Sequence, residues 1–234
     1  MNTKIIFTLL FTLLFFVVAK NISSQDRTIA LAIKIIRDVD HKNSKIDWSK
    51  TKKGDVLYSG DDLRTGEKSI AIVKFKDNSM LRVREQSELK VIGEMKDGAF
   101  AKTVNVTRGE FTFDIQKQQE NEKFIFSSPT SVAAIRGTEG TFSAGNTGDS
   151  LTVLDGSITF VNSVSNTSVN VDSGQTGISN PNGIITVHNS TPEEHNSAKN
   201  QLNAAQGTGQ EKQLDIELKD RDNNKKKVRI KYHD

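Results

Sequence analysis

The sequence predicts an all-β protein in which many short antiparallel strands form a sandwich or an irregular β-solenoid. Three observations lead to this prediction. Apolar and polar residues alternate with a period of two in most segments between Gly54 and Val187. Turn residues interrupt these segments at intervals of about 8–12 residues. The hydrophobic content of 35% is low, which suits a thin β domain better than the thick core of an α/β enzyme.

The first 24 residues are predicted to be a signal peptide. Lys4 precedes an apolar run over residues 5–19, and this run is shorter than the roughly 20 residues that span a bilayer. Small residues that suit cleavage lie at positions 17–19 and 22–24. We therefore expect a periplasmic or secreted protein, with an uncleaved N-terminal membrane anchor as the alternative.

Charge and cysteine content limit the classes of partner. The chain has 32 Lys and Arg against 29 Asp and Glu, a formal net charge of +3, and no cysteine. Such a balanced charge does not predict binding to nucleic acid or to a membrane surface. Without cysteine the fold depends on its core rather than on disulfides. After residue 19 no segment is apolar enough to span a bilayer, so we expect no membrane span after cleavage.

The predicted strands begin at residue 28, where residues 28–36 fit either a strand or a short helix. Residues 38–53 are predicted to be a polar loop that contains Trp48. Asp77-Asn78 favours a tight hairpin, and Asp155-Gly156 favours the clearest hairpin of the chain. The other predicted strands cover residues 70–75, 80–83, 89–92, 103–106, 111–115, 151–154, 158–161, 169–171 and 184–187.

The most informative stretch begins with Phe124 and Phe126, which alternate with more polar neighbours as in a strand with one buried face. Pro129 is expected to end this strand, because proline has no N–H for a ladder hydrogen bond. The run Val132–Ile135 then predicts a buried crossover between two sets of strands.

Arg136 and Gly137 follow that run. We interpret Arg136 first as a structural residue, whose five fixed donors hold loop carbonyls or a carboxylate from a buried position. A ligand contact is the alternative. Gly137 is expected to adopt backbone angles that a side chain would forbid.

Residues 128–138, Ser-Pro-Thr-Ser-Val-Ala-Ala-Ile-Arg-Gly-Thr, resemble the core signature of the FecR domain. The resemblance extends over about residues 54–175. It includes Gly54-Asp55, Thr65-Gly66, the alternating segment from Ser69 to Leu81, Gly109-Glu-x-x-Phe113, Asp155-Gly156 and Ser173-Gly-Gln175. Where the family pattern reads Thr-Glu-Phe, this chain reads Thr138-Glu-Gly-Thr-Phe142.

The resemblance implies a β-rich exported domain that receives a signal from a partner protein. Our first functional hypothesis is therefore a non-catalytic envelope module for protein interaction, sensing or scaffolding. In regulators of this family a membrane helix joins the domain to a cytoplasmic anti-sigma segment. We expect neither in this chain. The candidate interaction or structural-core residues are Arg136, Gly137, Thr138, Glu139 and Trp48.

A second hypothesis is a carbohydrate- or peptidoglycan-binding domain, in which Trp48, Tyr58 or the Asn and Thr of strand faces contact cell-wall polysaccharide. Trp48 also fits a lid over the core. An enzyme is the third alternative, and we predict none. The four histidines lack the spacing of a zinc pair, and no nucleophile elbow or phosphate-binding loop is present. We expect no cofactor and no metal.

The composition changes after Val187, which separates a FecR-like β domain over residues 25–189 from the C-terminal part. Thr191-Pro192-Glu193-Glu194 predicts the start of a short helix within a linker over residues 190–210. Residues 211–234 alternate again and predict a β-hairpin. Because a lone two-stranded hairpin is marginally stable, we expect it to dock on the main domain or on a partner.

Overall fold

The computed structural model of the chain describes residues 28–96, 98–206, 212–219 and 225–232. The predicted signal peptide lies outside these residues. Seventeen strands occupy the part before residue 190: β1 (Thr28–Ile36), β2 (Val39–Lys42), β3 (Ser49–Lys50), β4 (Val56–Tyr58), β5 (Asp62–Thr65), β6 (Ile70–Phe75), β7 (Met80–Val83), β8 (Glu88–Lys96), β9 (Ala99–Ile115), β10 (Glu122–Ser127), β11 (Ser131–Ile135), β12 (Thr138–Gly145), β13 (Gly148–Asp155), β14 (Ser157–Asn162), β15 (Ser168–Asp172), β16 (Gln175–Ser179) and β17 (Ile185–Asn189).

The seventeen strands form two layers that share one strand. Sheet A has the order β4-β1-β6-β7-β9-β12-β13-β16-β17. Sheet B has the order β3-β2-β5-β8-β9-β10-β11-β14-β15. Neighbouring strands are antiparallel except β9 and β10, which are parallel. The all-β prediction is confirmed, and the layers face each other without closing into a barrel.

The long strand β9 joins the two sheets. Its first part, up to Arg108, pairs with β8 in sheet B, and its second part, from Gly109, pairs with β12 in sheet A. Gly109 has a φ of 103°, and a Cβ there would lie 2.4 Å from the Cα of Ser87. The sequence predicted two separate strands here. The strand is instead continuous, and it changes sheet at the glycine.

The core lies between the sheets and is rich in phenylalanine. Phe75 of sheet A packs edge to face on Phe124 of sheet B, with ring centroids 4.9 Å apart. Phe142 of sheet A and Phe160 of sheet B form a second such pair at 6.5 Å. All four rings are buried. Burying a side chain of this size stabilises a fold by about 1.5–3 kcal/mol, so these contacts hold the layers together.

Of the hairpins predicted at Asp77-Asn78 and Asp155-Gly156, one forms and the other does not. Asn78 adopts a φ of 68° between β6 and β7, which pair as the predicted hairpin. The prediction of a hairpin at Asp155-Gly156 is wrong. Strand β13 pairs within sheet A and β14 within sheet B, so the two strands do not pair with each other. Gly156 has a φ of 93°. A sharp turn between layers needs the same left-handed residue as a hairpin, so the sequence alone does not distinguish them.

Several further segments differ from the sequence prediction. The run Val132–Ile135 lies in strand β11, which pairs with β10 as a hairpin, so it is not a crossover. The loop predicted over residues 38–53 contains the short strands β2 and β3. Strand β16 was not predicted, because its Gly177 and short polar side chains give no alternating apolar signal. Residues 28–36 form a strand and not a helix.

Helix α1 (Pro192–Gln206) lies on the outer face of sheet A and buries Ala198 and Leu202. Its start follows the prediction. The Thr191 hydroxyl accepts the backbone N–H of Glu194 at 3.2 Å, and the Glu194 carboxylate accepts that of Thr191 at 2.7 Å, which is a capping box. Within the described ranges, no helix is long and apolar enough to cross a bilayer.

Strands β18 (Lys212–Lys219) and β19 (Lys225–Tyr232) form the C-terminal hairpin. Their antiparallel register pairs Leu214 with Ile230 and Ile216 with Val228. The hairpin itself was expected from the sequence. Its docking on the main domain stays a prediction.

Candidate functional site

A buried carboxylate holds the turn that opens the FecR-like signature. Asp149 of β13 is 2% exposed and accepts the hydroxyls of Ser128 and Ser131. The Ser128 oxygen in turn accepts the backbone N–H groups of Thr130 and Ser131, at 3.0 and 2.9 Å. Asp149 therefore ties the β10–β11 turn of sheet B to a strand of sheet A.

The electrostatics of Asp149 reflect its position. Burial raises the pKa of its carboxyl above the ordinary value, and the hydrogen bonds from Ser128 and Ser131 oppose this only in part. The sequence analysis missed Asp149. Its position, in a polar Gly-Asp-Ser segment before an apolar run, reads as a loop, so only the fold brings it to the signature.

The crossing from sheet B to sheet A takes two residues, Arg136 and Gly137, between the end of β11 and the start of β12. Gly137 has a φ of 69°, and a Cβ there would lie 3.2 Å from the Cα of Lys117. The expectation that Gly137 needs a special conformation is confirmed.

Arg136 is exposed. Within the described ranges it forms no hydrogen bond or ion pair. The interpretation of Arg136 as a buried structural residue is therefore wrong. A cation this close to the apolar strand β11 was expected to need burial and a partner, but the crossing lies at the end of the sandwich, where the side chain reaches solvent. Arg136 lines a cavity of about 260 Å³ there, together with Lys123 and Gln118.

The buried cation at this end of the molecule is Lys102, whose side chain is 6% exposed. Its Nζ lies 2.6 Å from Asp77 Oδ2 and 3.4 Å from Glu122 Oε2. Gln118 Nε2 donates to the same Asp77 oxygen at 2.9 Å. Burial by itself would raise the pKa of Asp77, but the hydrogen bonds from Lys102 and Gln118 hold it below its ordinary value.

Thr138 and Glu139 follow the crossing but face opposite sides of sheet A. Thr138 points into the core, is 2% exposed, and its hydroxyl has no hydrogen-bond partner. Glu139 lies on the outer face, on the side that α1 covers. Burial raises the pKa of its carboxyl, and the nearby Asp114 and Asp155 add to this. The structure thus separates Glu139 from Arg136.

Trp48 lies far from this crossing, beside the edge strands β2 and β3 of sheet B. The guanidinium of Arg64 stacks on its ring, with 4.1 Å from Cζ to the ring centroid. Trp48 is half-buried and is not among the residues that pack on the core, so the lid interpretation is wrong. One face of the ring is occupied by Arg64.

Residues 61–159 match the model of the FecR protein family. This part of the chain is FecR-like. The match begins just before β5 and ends within β14, so it covers the middle of both sheets, including the Asp149 tie and the Arg136 crossing. Strands β1–β4 and β15–β17 extend the same sheets on either side of the matched FecR region.

The fold of this chain is similar to that of a Parabacteroides distasonis ATCC 8503 protein assigned as an anti-sigma factor. Two crystal structures of that protein, at 1.65 and 2.50 Å resolution, align with a TM-score of 0.50. The identities are 14% and 13%, and each alignment covers 59% of this chain and 64% of that chain. The likeness therefore spans less than two thirds of the neighbour. No protein with a curated description matches the sequence.

Proposed function

We propose that this chain acts in the cell envelope as a non-catalytic FecR module that binds a partner protein in sensing, signalling or scaffolding. The FecR match over residues 61–159 carries the proposal. The similar fold of a protein assigned as an anti-sigma factor supports a regulatory role of the same general kind.

The signature segment supports a contact role at Arg136. Asp149, Ser128 and Ser131 fix the turn on one side of β11, and Gly137 fixes the crossing on the other. The segment is therefore rigid at both ends. Arg136 lies between these fixed points, exposed and without an ion pair among the described residues, so a partner can contact it without ordering the backbone.

Export is part of the proposal and has its own test. We expect cleavage between residues 19 and 25, because the apolar run ends there and small residues follow. N-terminal sequencing of the protein from the envelope fraction measures the cleavage site. An intact Met1 in the membrane fraction would favour the anchor instead.

The partner is tested by photo-crosslinking in the native cell. A photo-reactive residue replaces Lys117, which is exposed and lies next to Gly137 at the crossing, and in a matched chain it replaces the exposed Asn170 on β15. We expect one discrete heavier adduct from position 117 and none from position 170. Equal labelling from both positions, or no adduct from either, would contradict partner binding at the crossing.

Polysaccharide binding is not proposed. Trp48, one of the residues named for that hypothesis, is half-buried and has one ring face covered by Arg64.

A further inference from the structure

The cavity beside Arg136 is lined by polar and charged groups that lack a hydrogen-bond or ion-pair partner among the described residues. It lies at the end of the β10–β11 hairpin, measures about 260 Å³, and is lined by Gln118, Glu122, Lys123, Ile125, Ala134 and Arg136, with the backbone of the hairpin beneath them. This volume is just below the roughly 300–1,000 Å³ of small-molecule pockets. The cavity therefore suits one or two residues of a chain.

Gln118, one of the lining residues, has a buried acceptor without a donor among the described residues. Gln118 is 2% exposed, and its amide nitrogen donates to Asp77 Oδ2 at 2.9 Å and to the Gln116 carbonyl at 2.7 Å. Both of those groups only accept, which fixes the orientation of the amide. The Gln118 Oε1 atom is buried and has no hydrogen-bond partner. Most buried acceptors in proteins receive a hydrogen bond from an N–H or O–H donor.

The rim of the cavity has positive charge without a counter-ion. Arg136 and Lys123 are exposed, and neither forms an ion pair within the part of the chain that the structure describes. The acid at the cavity, Glu122, already faces Lys102 at 3.4 Å. The cavity therefore attracts an anion, and the planar guanidinium of Arg136 suits a carboxylate in particular.

The floor of the cavity is apolar. Ile125 and Ala134 are cross-strand partners in the β10–β11 register, and their side chains lie on the outer face of sheet B. An occupant that covers them gains the transfer free energy of apolar surface. The ligand must therefore offer a carboxylate and an apolar side chain within a short distance of each other.

We propose that this cavity binds the C-terminal residue of a partner polypeptide. A C-terminal apolar residue carries its side chain, its backbone N–H and its carboxylate on or next to one Cα. The carboxylate pairs with Arg136, and the side chain covers Ile125 and Ala134. Capture of a C-terminal carboxylate is a recurrent mode of peptide recognition. An acidic side chain fits less well, because in an extended peptide the adjacent apolar side chain points the opposite way.

This inference deepens the proposed function, on which it rests, and it is tested with defined peptides. The probe is acetyl-Gly-Ala-Ala-Leu with a free carboxylate, titrated into the full-length exported chain and followed by isothermal titration or chemical-shift changes. Two comparison probes are used. The first is the same peptide as a C-terminal amide, and the second is that amide with glutamate in place of one alanine, so that its carboxylate lies on a side chain. We expect saturable binding of the free acid and binding at least about tenfold weaker for both amides.

Variants of the protein measure the contribution of Arg136 to peptide binding. Arg136→Gln should weaken binding of the free acid at least about tenfold, whereas Arg108→Gln, which removes the same charge from an exposed arginine on β9, should change it less than about twofold. Arg136→Lys should weaken binding by an intermediate amount, because lysine keeps the charge but not the planar pair of donors of the guanidinium. Equal binding of acid and amide, unchanged binding by Arg136→Gln, or no saturable binding of any peptide would overturn the inference.

The two proposals fail in distinguishable ways. If the adduct from position 117 forms in cells and persists in Arg136→Gln while no peptide binds, the chain binds a partner but not through a terminal carboxylate. If the free-acid peptide binds as expected but no adduct forms in cells, the cavity is a carboxylate site and the partner-binding function is wrong.

Discussion

The ring of Phe126 in sheet B meets the ring of Phe111 in sheet A edge to face, with centroids 4.7 Å apart and an interplanar angle of 81°. Phe126 also lies 5.0 Å from Phe113 and 5.8 Å from Phe142. It is therefore the ring through which β10 contacts two strands of the opposite sheet.

Phe126→Ala should destabilise the protein by about 3–5 kcal/mol, because it leaves a cavity that this rigid core cannot fill. Phe126→Leu keeps most of the apolar volume and should cost clearly less. Urea denaturation of both variants and the parent measures the two differences. Equal losses for the alanine and leucine variants would show that Phe126 does not fill the interface between the sheets.

The Asp149 tie should make stability depend on pH in a specific direction. Burial raises the pKa of this carboxyl in the folded state, so between its unfolded and folded pKa values the folded state binds more protons. The free energy of unfolding that Asp149 contributes therefore falls as pH rises through this window, and it is constant above and below it.

Asp149→Asn removes this titration and keeps an acceptor for Ser128 and Ser131. We expect the parent to gain stability relative to Asp149→Asn as the pH is lowered from neutral to below about 3.9, the ordinary pKa of aspartate. Denaturation at a series of pH values measures the difference, in which the titrations of the other carboxyls cancel. A difference that does not change with pH, or that has the opposite sign, would contradict the assignment.

Gly137→Ala should destabilise the protein more than Gly174→Ala. Both glycines have positive φ, at 69° and 78°, so each alanine incurs the left-handed penalty of about 1–2 kcal/mol. A Cβ at Gly137 also meets the Cα of Lys117 at 3.2 Å, whereas nothing lies within 4 Å of one at Gly174. Thermal or urea denaturation compares the two. If they lose equal stability, the close approach at the crossing is of no energetic consequence.

Substitution of Lys102 and of Arg136 should have very different effects on stability. Lys102→Met leaves Asp77 and Glu122 without their buried partner and should cost about 3–5 kcal/mol. Arg136→Met removes an exposed side chain and should change stability by less than about 0.5 kcal/mol. Urea denaturation of both variants tests this pair. A large loss in Arg136→Met would restore the structural interpretation of that residue.

The strands themselves follow from the sequence, because alternation reports which face of a strand is buried. Phe124 and Phe126 were predicted on a buried face for this reason, and both are buried. The helix start followed from Thr191-Pro192 and Glu194, whose capping contacts are local. Local signals of this kind do not depend on the rest of the fold.

The pairing of the strands does not follow from the sequence. Asp155-Gly156 supplies the left-handed glycine of a hairpin, yet the chain uses it to pass from one layer to the other. The same limit applies to the site. Asp149 and Lys102 meet partners 18 to 25 residues away in the chain, and no local pattern announces a contact at that separation.

The order of strands along the two sheets has a consequence for how such a domain grows. From β5 onward, each added strand pairs with a strand at the free end of its sheet. Strands β15 and β17 extend both layers beyond the FecR match without changing the pairing of the strands before them. An inserted or deleted strand pair at this margin changes the length of the stack and leaves its middle untouched. The outermost strands can therefore vary while Arg136 keeps the same surroundings, whereas Asp149 depends on β16, with whose Ser179 it pairs.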